Sequence, residues 1–124
     1  MSTVLIVEDD LDIRAVIEAI FSMGSRFTVG GLADSAEEAV DLARGQRPDI
    51  IVLDDRLNGA LRGIDAVARF KKVAPNAKII LYTAHADLQA RVNREPAVDA
   101  FLLKTDPGEL LPLAQRLANM LSLV

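Results

Sequence analysis

The chain contains no cysteine, a single histidine, and aromatic residues at only 4%. Without thiols there is no disulfide, no thiolate nucleophile and no cysteine-ligated metal. One histidine cannot build a multi-histidine metal centre, and so few aromatics cannot form a base-stacking platform. Basic residues are also in the minority, 14 Lys and Arg against 18 Asp and Glu, for a net charge of −4. That balance argues against nucleic-acid binding, which relies on a basic surface. Arg44, Arg47, Arg69, Lys71 and Lys72 are scattered and read as a solvated face. No apolar run approaches the ~20 residues of a membrane span. No charged leader followed by an apolar stretch opens the sequence, so the expected location is cytoplasmic.

What the chain does have is apolar residues at 51% and charged residues at 26% over 124 positions. This composition fits one globular domain, residues 1–124, large enough to bury a real core. Apolar runs of about four residues each end in polar ones. Val4 to Val7 leads into Glu8, Asp9 and Asp10; Ile50 to Leu53 into Asp54 and Asp55. Ile79 to Tyr82 leads into Thr83, and Phe101 to Leu103 into Lys104. Short β-branched runs of this kind read as strands of a parallel sheet buried on both faces. The expected strands are residues 4–7, 28–32, 50–53, 78–82 and 100–103.

Amphipathic stretches alternate with them. Ile13, Val16, Ile17, Ile20 and Phe21 recur at helical spacing, as do Ala36, Ala39, Val40 and Ala43, then Ile64, Val67, Ala68 and Val73. Leu110, Leu113, Ala114, Leu117 and Leu121 repeat the pattern. Alternating βα units imply an α/β fold, a doubly wound (βα)₅ parallel sheet with right-handed crossovers. Asp10 reads as a cap of the first helix, Asp34 or Ser35 of the second, and Asp106 with Pro107 as the start of the fifth. Gly45 and Pro48 mark the turn into the third strand. Pro96 should end a short fourth helix near Arg94, and Pro112 should kink the fifth or move its start.

Ligands of open α/β sheets bind beyond the carboxyl ends of the strands. Carboxylates, a hydroxyl and an ammonium would therefore gather at one edge. Glu8, Asp9 and Asp54 together suit a hard, oxygen-seeking divalent ion such as Mg²⁺.

VLIVEDD at 4–10, PDIIVLDDRLNG at 48–59, IILYTA at 79–84 and FLLK at 101–104 stand in this order and spacing. With them the chain resembles the receiver domain of bacterial two-component response regulators over essentially its whole length. The resemblance implies a flavodoxin-like sheet of order 2-1-3-4-5 and a phosphorylation-dependent switch rather than an independent enzyme. It makes Asp54 the phosphoacceptor; Asp55 is the rival, but Leu57 stands three positions after Asp54 as the family pattern requires. It implies Mg²⁺ held by Asp9, Asp54, the backbone carbonyl of Arg56 and, often through water, Glu8. Thr83 would bind a phosphoryl oxygen, Lys104 would pair with its charge, and Phe101 would turn inward on activation. The implied donor is a phospho-histidine on a sensor histidine kinase or phosphotransfer protein. The implied output face is built by the fourth helix, fifth strand and fifth helix, with a homodimer left open. Two other readings are a docking domain that works without phosphorylation and an Mg²⁺-dependent phosphohydrolase with an aspartyl nucleophile.

The chain departs from the family pattern in several places. Asn58 replaces a proline, residues 58–62 form a loop one residue longer than usual, and Thr105 replaces a proline after Lys104, so a trans bond is expected there. Asp55 adds a further carboxylate beside the acceptor, while Arg56 and His85 are candidate modulators of the phosphoryl lifetime.

Overall fold

The computed structural model describes residues 2–122; Met1, Leu123 and Val124, part of the expected span, lie outside the described residues. Five parallel strands form one sheet of order β2-β1-β3-β4-β5, the doubly wound flavodoxin-like arrangement expected. β1 is Ser2–Val7, β2 Phe27–Ala33, β3 Ile50–Leu53, β4 Lys78–Thr83 and β5 Ala100–Leu103. The helices are α1 Leu11–Ser22, α2 Ala36–Gln46, α3 Gly63–Val73, α4 Gln89–Val92 and α5 Leu110–Ser122. None of them is long and apolar enough to cross a membrane.

Strand alternation divides the core into two layers. Leu5, Val7, Ile51, Leu53, Ile79 and Leu81 face α2, α3 and α4. Val4, Ile6, Ile50, Val52, Ile80 and Tyr82 face α1 and α5, where Phe21 meets Phe27 edge-on with ring centroids 5.2 Å apart. The strand runs in the middle of the sheet are apolar throughout because both of their faces are covered. β1 starts at Ser2, earlier than its apolar run, because Ser2 and Thr3 pair with Phe27 and Thr28. A register shift follows: Val4 pairs with Val29 but Leu5 with Gly31, which leaves Gly30 as the extra residue of a bulge.

Helix ends follow local chemistry. Asp10 Oδ1 accepts from the amides of Asp12 and Ile13 at 2.9 and 3.1 Å, and Ser35, not Asp34, caps α2 through the Glu38 amide. Gly45 is not the punctuation expected, for it lies inside α2. Arg47 instead takes the left-handed conformation at φ 47°, because Pro48 disfavours a helical residue before it. Pro107 opens a 3₁₀ turn, Pro107–Glu109, ahead of α5. Pro112 is thus the third residue of α5, where a missing N–H costs nothing, so it sits with the start of the helix. α4 is a single turn ending before Pro96. All peptide bonds of the described residues are trans, Thr105 included.

One of the five basic residues is not solvated. Lys71 Nζ donates to the Ala77 carbonyl at 2.6 Å and to Asp99 Oδ2 at 2.8 Å. Asp99 also accepts the Ile79 amide, so the pair ties the end of α3 to the start of β5.

Candidate functional site

Ladder hydrogen bonds run past the strands and carry the polar residues into one edge. The Glu8 amide donates to the Ala33 carbonyl at 2.9 Å, Asp54 to Val7 at 3.0 Å, and Lys104 to Thr83 at 2.9 Å. The side chains beyond converge. Glu8, Asp9 and Asp54 each offer a carboxylate oxygen within 4.8 Å of the others, with Glu8 and Asp54 buried. Lys104 Nζ lies 2.6 Å from Glu8 Oε1 and 2.9 Å from Asp54 Oδ2. Asp54 Oδ1 accepts the Asp55 amide at 2.8 Å, and Glu8 Oε2 the Asp10 amide at 3.2 Å.

Crowding carboxylates out of water has a measurable electrostatic consequence. Burial holds Glu8 above the usual glutamate range, with Asp54 repulsion adding to it and the Lys104 ammonium working against it. Lys104 Nζ and Glu8 Oε1 form a close ion pair at 2.6 Å, while Asp9 and Asp54 bring two more carboxylates to the same point. Three converging carboxylates, with Glu8 and Asp54 buried, fit a hard divalent cation. The donor set is all oxygen, as Mg²⁺ prefers.

Because the ionised form of Glu8 is disfavoured in the fold, Glu8→Gln should stabilise the metal-free protein near neutral pH. A folded pKa above the unfolded one means the Glu8 penalty appears as pH rises through that window and vanishes in acid. The expected gain is a few degrees in thermal midpoint, about 1 kcal/mol. It should shrink on acidification. Thermal melts against pH measure it, and a destabilised variant at neutral pH would contradict it.

Asp55, the rival acceptor, points away from this cluster, as alternation along a strand requires. It is fully buried on the α3 side. Its Oδ1 accepts the Ile64 amide at 3.0 Å, and its Oδ2 accepts Nε of Arg62 at 2.8 Å together with a second guanidinium nitrogen. The expectation that Asp55 crowds the acceptor with further charge is therefore corrected: Arg62 neutralises it, and the Asp55 carboxylate in turn holds the Arg62 guanidinium above its ordinary value. Gly63 completes the contact. Its amide donates to the Asp55 carbonyl at 2.8 Å, and a Cβ there would lie 2.0 Å from the Asp54 carbonyl oxygen.

The 58–62 loop is anchored at several points. Asn58 bridges to Ser35, the Leu61 amide donates to Glu37 Oε1 at 3.2 Å, and Gly59 sits at φ 90°. Thr83 is fully buried; its Oγ1 accepts the His85 amide at 3.3 Å, leaving its own O–H without an acceptor among the described residues. Phe101 is half-buried against the layer that includes Leu88 and Val92. Arg56 is exposed and His85 half-buried, and neither side chain is bonded to Asp54. The parts that sequence reasoning missed are Arg62 and Gly63. A charge pair seven residues apart across a loop has no period to betray it, although a glycine opening a helix is a visible sign of close backbone approach.

Residues 4–115 match the family described as the response regulator receiver domain. The chain is 32% identical over 112 residues to the transcriptional regulatory protein AfsQ1 of Streptomyces coelicolor, covering 90% of this chain and 48% of that protein. It is 36% identical over 81 residues to the chemotaxis protein CheY of Thermotoga maritima, covering 65% and 66%. The response regulator TrrA of Thermotoga maritima, solved in complex with Mg²⁺–BeF, superposes with a TM-score of 0.84 at 24% identity over 94% of this chain and 99% of that one. The chain spans between 23% and 48% of the length of the first curated relatives it matches. Receiver domains are signalling domains, and this architecture, residue match and acidic edge agree. The chain belongs to the response regulator receiver domain family of two-component systems.

Proposed function

We propose that residues 1–124 act as one phosphorylation-dependent switch, with Asp54 as phosphoacceptor. The observation that carries this is the convergence of Asp54 with Glu8, Asp9 and Lys104, an acceptor carboxylate within reach of both a cation-binding cluster and a fixed ammonium. Asp9, Asp54, the Arg56 carbonyl and, through water, Glu8 would hold Mg²⁺, which supplies positive charge for the oxygens of the transferring group. The donor is a phospho-histidine of a sensor histidine kinase or phosphotransfer protein.

An Asp54 oxygen attacks phosphorus while the bond to the histidine nitrogen breaks. The electron pair returns to the imidazole, which takes its proton from solvent, and an acyl phosphate remains on Asp54. A carboxylate nucleophile has no proton to lose, so no general base is required. Lys104, now shared between Glu8 and Asp54, would swing its charge onto the phosphoryl oxygens. The O–H of Thr83 would donate to one of them, and its inward shift would open space toward which Phe101 turns. Repacking of the face formed by α4, β5 and α5 would then present the signal to an output domain or partner.

Intact mass after incubation with Mg²⁺ and a small-molecule phosphodonor tests this. The expected result is one added phosphoryl group on the unsubstituted chain and none on Asp54→Asn, with loss of incorporation on chelation. Equal incorporation in Asp54→Asn, or indifference to chelation, would sink the proposal.

A further inference from the structure

We infer that Asp55 and Arg62 form a clasp that positions the acceptor and the metal-binding backbone, with neither side chain bonded to the acceptor or the metal-binding carboxylates. The inference rests on the receiver reading above and goes beyond it, because neither residue belongs to the cluster that meets the phosphoryl group.

The clasp closes the β3–α3 loop at its neck. Asp55 makes four contacts that all matter to its neighbours. Its amide holds Asp54 Oδ1 at 2.8 Å, and its carbonyl receives the Gly63 amide at 2.8 Å. Its Oδ1 takes the Ile64 amide at 3.0 Å, and its Oδ2 takes the Arg62 fork. One residue thus orients an oxygen of the acceptor, docks the first turn of α3 and fixes the far end of the loop. Arg56, whose carbonyl is the proposed metal ligand, lies directly between this neck and the anchored 58–62 segment. Asp55 is fully buried while Arg62 is 46% exposed, so among the described residues the guanidinium is the side-chain cation that compensates a carboxylate water cannot reach. A planar two-pronged donor is suited to that task and an ammonium is not.

Charge alone predicts the opposite outcome from positioning. Removing a cation near a divalent-ion site should leave Mg²⁺ binding unchanged or tighten it by reduced repulsion. Loss of positioning should weaken it by about tenfold, as loss of outer supporting groups does at other metal sites.

The test is calorimetric titration of Mg²⁺ into the unsubstituted chain, Arg62→Met, Arg62→Gln and Arg62→Lys, with thermal melts to establish that each is folded. Lys72→Met, which removes an exposed cation from α3, is the control. The expected result is affinity lowered about tenfold in Arg62→Met and Arg62→Gln, partly restored in Arg62→Lys, and unchanged in Lys72→Met. Shifted amide resonances of Asp55 and Arg56 in the Arg62 variants should accompany it. Unchanged or tighter binding in folded Arg62→Met and Arg62→Gln overturns the clasp while leaving the receiver reading intact. No Mg²⁺ binding by the unsubstituted chain overturns that reading and the clasp with it.

Discussion

Replacing Lys104 by methionine should lower the thermal midpoint of the metal-free protein by about 10 °C near neutral pH, the largest single loss available at the site. The ammonium compensates two carboxylates at once, and side-chain exposures of 14% for Lys104, 1% for Glu8 and 8% for Asp54 leave little room for water to take over. Breaking a buried pair by removing one partner typically costs about 3 kcal/mol, because the remaining charge stays buried. The pH dependence carries a sign that can be checked. Burial alone would pull the Lys104 pKa down, yet Glu8 and Asp54 together hold it above the ordinary lysine value. A folded pKa above the unfolded one means its stabilisation is complete below the ordinary lysine range and is lost only as pH rises through the folded value. In the variant, Glu8 has lost the group that opposed its upward shift and takes a proton more readily. The deficit should therefore shrink in acid. Added Mg²⁺ should recover part of it near neutral pH, since a divalent ion can compensate the same carboxylates. A midpoint within about 2 °C of the parent, or a deficit that ignores pH, would contradict the assignment.

Gly63→Ala should be comparably damaging for a different reason. A Cβ at that position would stand 2.0 Å from the Asp54 carbonyl oxygen, 2.9 Å from its carbon and 3.0 Å from the Asp55 Cα. All three are backbone atoms, so no side-chain rotation can relieve the contact. The first turn of α3 must move away, giving up the Gly63 and Ile64 hydrogen bonds to Asp55. Overpacking against fixed atoms of this kind costs about 3 kcal/mol. The shift also displaces the peptide that follows the acceptor, so phosphoryl incorporation should fall along with the urea midpoint. Gly45→Ala supplies the contrast: nothing lies within 4 Å of its Cβ and the residue is helical. That change should stabilise by about 0.5–1 kcal/mol. Equal urea midpoints for the two variants would contradict the close-approach argument.

The fold was readable because its strongest signal is coarse. Strands covered on both faces must be apolar along their whole length, so Val4 to Val7 and Ile50 to Leu53 announced themselves, and so did the polar residue ending each run. The same logic brings Glu8, Asp9, Asp54, Thr83 and Lys104 to one edge. What escaped was set by pairings between separate parts of the chain. Ser2 and Thr3 are strand because Phe27 and Thr28 lie beside them, not because of their own propensity. Lys71 reads as solvated, but the approach of Asp99 gives it a half-buried partner. Asp55 looked like an extra site carboxylate, and only the return of Arg62 across the loop shows its charge cancelled on the opposite face of the strand.

The brevity of α4 has a consequence for local stability. A single turn closes too few hydrogen bonds to offset the entropy of ordering it, so this helix exists by the leave of its neighbours. Leu88 and Val92 seat it on the core, Asn93 closes one bond to Gln89, and Arg91 pairs with Asp65 of α3. Its amides should exchange with solvent through a local fluctuation, while those of β1 and β3 wait for global unfolding. The sheet thus acts as ballast, and under the proposed switch the surface that would change shape is the part whose rearrangement meets the least resistance.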